Sequence, residues 1–167
     1  AWVGDIDFNP WKYDKVTAQR QPGSTFKLFV YTEAMEQGLT PCDKRRDEYF
    51  SMHVWDAAQK KDVVWAPTNA NGNFSNDSMP LRAAFARSIN SVAVRLGQEM
   101  GIKNIIETAY AMGIKSKLDD APSLALGSSD VNLLELANAY STVANNGKAH
   151  SEAILVTKIL DRDGREI

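Results

Sequence analysis

Arg20-Gln21-Pro22-Gly23-Ser24-Thr25-Phe26-Lys27-Leu28-Phe29-Val30-Tyr31-Thr32-Glu33-Ala34-Met35-Glu36-Gln37-Gly38 is the stretch around which the chain is organised. Gln21-Pro22-Gly23 interrupts whatever precedes it. No Gly or Pro then follows until Gly38, which can take the left-handed conformation that closes a helix. The spacing predicts a helix over about 24–37 with Ser24 in its first turn. Lys27, three residues on, shares that face and can reach back to the hydroxyl. The unpaired N–H groups and partial positive charge of a helix start favour negative charge developing at Ser24. A serine beside a lysine at such a place has the outline of an activated nucleophile. The four residues are weak support by themselves, since S-x-x-K arises by chance in about half of chains this long. The plain alternative is a capping serine with a solvated lysine one turn on.

Bulk properties narrow the options. With 167 residues and 44% hydrophobic content the chain can bury one sizeable core, and one domain is the default. A net charge of −2 and a pI of about 5.7 give no basic field for nucleic acid. Lys44-Arg45-Arg46 is neutralised by Asp43, Asp47 and Glu48 and reads as a solvated loop. Cys42 is the lone cysteine, which forbids an internal disulfide or a thiolate metal cluster, and His53 and His150 lack ligand spacing. No metal or organic cofactor is expected. No run of about 18 apolar residues could cross a membrane.

Working outward, residues 1–8 read as a strand at the edge of a sheet and 9–19 as a loop carrying Trp11 and Tyr13. Residues 40–62 read as irregular and charged, and Val63-Val64-Trp65 as a short extended piece. Residues 66–73 are turn chemistry, Asn- and Gly-rich, either surface loop or the rim of a groove. From Pro80 the pattern is helical, with Leu81, Ala84, Phe85 and Ser88 on one face, then Val92, Val94-Arg95-Leu96 and Met100. Ser88-Ile89-Asn90-Ser91 lies between, poor helix formers that mark a junction. Another helix is expected over about 103–112, ending at Gly113. Asn132 caps the last helix, with Glu135 completing a capping box. Its expected buried stripe is Leu133, Leu136, Ala137, Tyr140, Val143 and Ala144, with Gly147 ending it. Residues 153–160 read as a strand, 161–164 as a turn and 165–167 as the start of a returning strand. The expected class is α+β, a helical layer on a mostly antiparallel sheet, helix-dominated and incomplete as it stands. The chain, 1–167, is expected to be part of a domain from a longer protein.

Ser24-Thr25-Phe26-Lys27 followed about sixty residues later by Ser88-Ile89-Asn90 resembles the penicillin-binding transpeptidases. These, with the related serine β-lactamases, are marked by S-x-x-K, S-x-N (S-D-N in many members) and K-T-G. Each of the first two occurs once in the sequence. The flanks at 20–27, 81–96 and 125–140 are similar to the class A, bifunctional members. The resemblance covers nearly the whole chain, with 40–62 its least distinctive part. It implies the β-lactamase/transpeptidase-like fold and a catalytic set of Ser24, Lys27, Ser88 and Asn90. Ser24 would attack the carbonyl between the terminal D-alanines of a peptidoglycan stem peptide, and Lys27 would take its proton. Ser88 would pass that proton to the departing D-alanine, while Asn90 orients Lys27 and the substrate backbone. The implied partners are donor and acceptor stem peptides and β-lactams, with no nucleic acid. The implied location is the outer side of the cell membrane, the parent being anchored and carrying an upstream glycosyltransferase domain.

K-T-G and K-S-G occur nowhere in the chain; the nearest string, Lys115-Ser116-Lys117, lacks the glycine. In the family that element supplies a second cation and an oxyanion donor, and losing one such donor typically costs about 100- to 1000-fold. The isolated chain is therefore expected to be nearly inactive. Two other functions were weighed against this one. A serine β-lactamase of class A would show E-x-x-L-N, which Glu135-Leu136-Ala137-Asn138 fails to match. A non-catalytic sensor or structural domain on the same fold would not need all of Ser24, Lys27, Ser88 and Asn90.

Overall fold

The computed structural model describes residues 14–56, 59–148 and 156–167. The expected strand at 1–8 lies outside these residues, as do Trp11, Tyr13, His150 and the first part of the 153–160 strand.

A 3₁₀ turn, Gly23–Phe26, leads into helix α1, Lys27–Glu36. Three short strands follow: β1 (Lys44–Arg46), β2 (Met52–Asp56) and β3 (Lys61–Trp65). After a long loop come β4 (Ser78–Pro80), α2 (Leu81–Ala86), α3 (Asn90–Met100) and α4 (Ile102–Ala111). A second 3₁₀ turn, Pro122–Leu126, precedes α5 (Leu133–Ala144). The class is α+β, but the described strands form two antiparallel pairs, β1 with β4 and β2 with β3, instead of one sheet. Arg45 pairs with Met79 in the first, and Val54 with Val63 in the second.

α3 is the hub. Val92, Ala93, Val94, Leu96 and Met100 are buried on it, so apolar contact covers most of its circumference and leaves Gln98 and Glu99 to solvent. α1 offers Phe29, Val30 and Ala34 to the same core, and Phe26 and Phe29 pack with ring centroids 4.8 Å apart. Burial of each such aromatic contributes about 2–3 kcal/mol. Leu81 and Ala84 of α2, Ile105 of α4, and Leu124 and Ala125 of the second 3₁₀ turn complete it.

Three expectations need correction. The first is the reading of 40–62 as irregular: it holds β1, β2 and the start of β3. Three-residue β1 is all cationic and alternates exposed and half-buried, giving no apolar period to detect. The second is the stripe on α5. Leu133, Tyr140 and Val143 are 57%, 39% and 52% exposed, Ala137 and Ala144 are exposed too, and only Leu136 is half-buried. The helix buries Glu135, Ala139 and Thr142 instead. Glu135 sets that rotation. Its Oε1 accepts the Asn132 N–H at 2.8 Å, closing the expected capping box, and its Oε2 accepts the Lys115 and Ser116 N–H groups at 2.7 and 2.9 Å. Burial alone would push this carboxyl up, but those hydrogen bonds outweigh it and hold it below the usual range. Phe85 of α2 is 41% exposed, with its ring 4.9 Å from that of Tyr31. The third is the 153–160 strand. Its described part is exposed, and a single bridge, Leu160 with Glu166, closes the expected turn.

Candidate active site

Two glycines make the seat of the Ser24 turn. The Gly23 N–H donates to the Gly127 carbonyl at 3.3 Å, and a Cβ built on Gly127 would lie 2.2 Å from Gly23 O. Gly127 also has φ +75°. Both observations exclude any side chain there. Arg20 and Val131 exchange two backbone hydrogen bonds of 2.9 Å, and the Tyr140 hydroxyl donates to Thr25 O at 2.8 Å. The chain around the second 3₁₀ turn and α5 thus grips Ser24 by its main chain. The turn is 3₁₀ and not the expected first turn of an α-helix, and in that geometry side chains three apart eclipse one another. Ser24 is exposed; Lys27 is 1% exposed.

The Lys27 amine has three oxygens around it. Nζ donates to Ser88 O at 2.7 Å, Ser88 Oγ at 2.9 Å and Asn90 Oδ1 at 2.6 Å. No hydrogen bond joins it to Ser24 among the described residues. The amine thus faces the Ser88 junction and does not reach back to the nucleophile as the spacing suggested. Burial lowers its pKa to about 8. At pH 7 about one molecule in ten then carries a neutral amine, against about one in three thousand for an ordinary lysine. A neutral amine has two N–H donors and a lone pair. The carbonyl of Ser88 and Asn90 Oδ1 can only accept, so they take the two N–H groups, and the Ser88 hydroxyl is left to reverse and donate. The cage therefore suits a base that alternates between charged and neutral.

Ser88 earns its place through backbone strain. Its φ of +54° is unusual for a residue with a Cβ, and costs about 1–3 kcal/mol. The turn from α2 to α3 brings both its carbonyl and its hydroxyl onto Lys27. Asn90, the first residue of α3, is oriented from the other side: its Nδ2 donates to Thr68 O at 2.8 Å, which leaves Oδ1 to face the amine.

Two residues here were not among the candidates. Asn69, buried in the turn-rich loop, accepts the Asn90 and Ser91 N–H groups on Oδ1 at 2.9 and 3.2 Å. Its Nδ2 donates to Asp47 Oδ1 at 2.7 Å and to Asn73 O at 2.9 Å. Asp47, 3% exposed, also accepts from Ser91 Oγ at 2.6 Å and Ser75 N at 2.9 Å. Burial pushes the Asp47 carboxyl up, but the hydrogen bonds from Ser91, Ser75 and Asn69 prevail and keep it low. The clue in sequence was only that Ile89, at the cap position of α3, has no oxygen to offer.

Among the described residues no group of three or more His, Cys, Asp and Glu could hold a metal, and no helix is long and apolar enough to cross a membrane. The arrangement can deprotonate a hydroxyl and pass the proton on.

Comparison with known proteins bears on that chemistry. The profile of the penicillin binding protein transpeptidase domain matches residues 1–163. Penicillin-binding protein 2D of Bacillus subtilis is 35% identical over 98% of this chain, which covers 23% of that relative. Penicillin-binding protein 1A of Rickettsia prowazekii is 36% identical over 100% of the chain, which covers 21% of it. The chain thus spans about a fifth of the length of these relatives. The crystal structure of penicillin-binding protein 1A from Haemophilus influenzae superposes with a TM-score of 0.82 at 30% identity, over 99% of this chain and 24% of that one. PonA1 of Mycobacterium tuberculosis, solved with penicillin V, shares the fold at a TM-score of 0.74 and 21% identity, over 95% of this chain and 43% of that one.

Proposed function

We propose, from the premise that this chain belongs to the penicillin-binding protein transpeptidase family, that it carries the nucleophile half of a D,D-transpeptidase site. The observation that carries the reading is the buried Lys27 amine held against Ser88 and Asn90, three residues from an exposed serine.

Neutral Lys27 takes the Ser24 proton, by way of a small shift of Nζ toward Oγ. The oxygen adds to the carbonyl between the two terminal D-alanines. The C–N bond then breaks, the proton passes through the Ser88 hydroxyl to the departing D-alanine amine, and an ester on Ser24 remains. The amine of a second stem peptide attacks that ester, forms the cross-link and returns Ser24. A β-lactam enters by the same route, its ring opening to a long-lived ester. Asn90 keeps the amine in place and meets the substrate backbone.

The chain works as part, 1–167, of a membrane-anchored protein with a glycosyltransferase domain, on the outer side of the membrane. A K-T-G or K-S-G strand, absent from this sequence, completes the oxyanion site there. The test is labelling with a fluorescent penicillin. The intact protein should label stably at Ser24, and Ser24→Ala should abolish both labelling and cross-linking. The isolated chain should label at least about 100-fold more slowly. Rapid labelling of that piece, or labelling that survives Ser24→Ala, would refute the assignment.

A further inference from the structure

We propose that Asp47 and Asn69 are positioning residues for this reaction: they hold the first turn of α3, and with it the Asn90 amide, oxygen toward Lys27. The inference rests on the transpeptidase reading of the site and deepens it.

Three side-chain orientations are linked in series, each forced by the one before. Asp47 is a buried carboxylate whose partners are neutral donors: Ser91 Oγ, Asn69 Nδ2 and Ser75 N. No cation pairs with it among the described residues. A buried charge without a counter-ion is a poor way to stabilise a core, so its strength as an acceptor is its distinguishing property. It fixes the Asn69 amide, because a flipped Asn69 would set its oxygen against the Asp47 carboxylate and the Asn73 carbonyl. Asn69 Oδ1 is thereby committed to the first two N–H groups of α3, at Asn90 and Ser91. Ile89 offers these no side-chain oxygen, so the cap comes from a loop about twenty residues upstream. With α3 pinned at that loop, the Thr68 carbonyl sits where Asn90 Nδ2 must find it. The remaining atom, Oδ1, then meets Lys27 Nζ at 2.6 Å. Ser91 Oγ ties the same turn directly to Asp47.

The titratable groups around Lys27 are few. Tyr31 lies one turn on along α1, Arg87 is exposed at the end of α2, Asp47 stands behind Ser91, and Tyr140 reaches the Thr25 carbonyl. Burial is what lowers the amine's pKa. Loosening the start of α3 admits water and relaxes that shift upward.

The experiment measures acylation of the intact protein by a fluorescent penicillin against pH, alongside a thermal melt, for four proteins. They are wild type, Asn69→Ala, Asp47→Asn, and the exchanged pair Asp47→Asn with Asn69→Asp. Asn69→Ala should acylate about ten- to a hundredfold more slowly. Its pH midpoint should move upward from the wild-type value, toward that of an ordinary lysine. The exchanged pair can again join an amide donor to a carboxylate that caps α3. It should recover part of the rate and move the midpoint back toward wild type, short of full rescue because Asn69→Asp sets a carboxylate oxygen against the Asn73 carbonyl, whereas Asp47→Asn alone should show no recovery. If Asn69→Ala fails to fold, Asn69→Ser takes its place, since a single, shorter hydroxyl cannot reach both Asp47 and the start of α3 as the amide does. An unmoved midpoint, with rates falling only as the folded fraction falls, overturns the proposal and leaves the transpeptidase reading standing. Absence of acylation in wild type overturns both.

Discussion

α3 and α5 both begin on an asparagine oxygen, and they obtain it in opposite ways. At α5 the cap is local: Asn132 Oδ1 accepts the Glu135 N–H at 2.9 Å while Glu135 answers at the Asn132 N–H. At α3 it is remote, Asn69 reaching Asn90 and Ser91 from another loop. Each cap has a buried carboxylate beside it, Glu135 in one and Asp47 in the other, both held ionised by hydrogen bonds against the pull of burial. The difference lies in what the cap couples. A local cap stabilises its own helix. A remote one ties the position of the helix to another part of the fold, which is useful only where position matters. The remote cap stands at the proposed site.

Matched substitutions can break this contrast. The largest separation is expected between Asn90→Ala and Asn132→Ala. The first removes the Lys27 contact and the Thr68 tie together, and acylation should fall by about 100-fold or more. The second should leave acylation within about twofold and cost about 1 kcal/mol in a denaturant titration. Equal effects on acylation would mean that the two helix starts do the same work. Next comes Gly127→Ala, which drives a Cβ into the backbone of Gly23. The clash is with main chain and cannot be relieved by a rotamer, so a loss of several kcal/mol is expected in thermal melts, with slower acylation of the protein that still folds.

pH sharpens the comparison further. Asp47 and Glu135 have folded pKa values below the usual range, so each contributes stability above its unfolded pKa, near 4. That contribution is lost as pH falls through the folded values. Asp47→Asn and Glu135→Gln should each flatten the acid limb of a stability-versus-pH curve, but only the first should alter acylation at pH 7. For Lys27 stability also rises with pH, in a higher window, because burial penalises its charged form. Its folded pKa of about 8 lies below the unfolded value, so stability rises between about 8 and 10.5 as the unfolded chain holds the extra proton. Lys27→Met should remove that rise along with nearly all acylation. The smallest effect belongs to the outward face of α5. Leu133→Ser should change stability by at most about 0.5 kcal/mol, because the side chain is already more than half exposed. A larger loss would show that this face is covered.

The same contrast explains what could be read beforehand. The Asn132–Glu135 box is a pattern of neighbours and was legible as one; so were the Ser88–Ser91 junction and the helix stop at Gly38. The Lys27–Asn90 contact was open to view only through the resemblance, since no spacing rule joins residues 63 apart. Asn69 was hidden, because a loop asparagine looks the same whether it faces water or caps a distant helix. β1 and β4 were hidden because three-residue strands carry too little alternation to stand out. On α5 the apolar residues are spread widely enough that periodicity allows more than one inward face, and a carboxylate answering two amides in another loop made the choice.

The contact between Gly23 and Gly127 leaves little for variation to act on. A Cβ at position 127 would run into the Gly23 main chain, so no larger residue fits there, whereas one at position 23 meets open space and is opposed only by its φ of +57°. Selection acting on the proposed reaction would find position 127 closed. The handles that remain are the Tyr140 phenol on the next carbonyl and the loop that carries Asn69, and selection for a retuned enzyme should accumulate changes at those two places first.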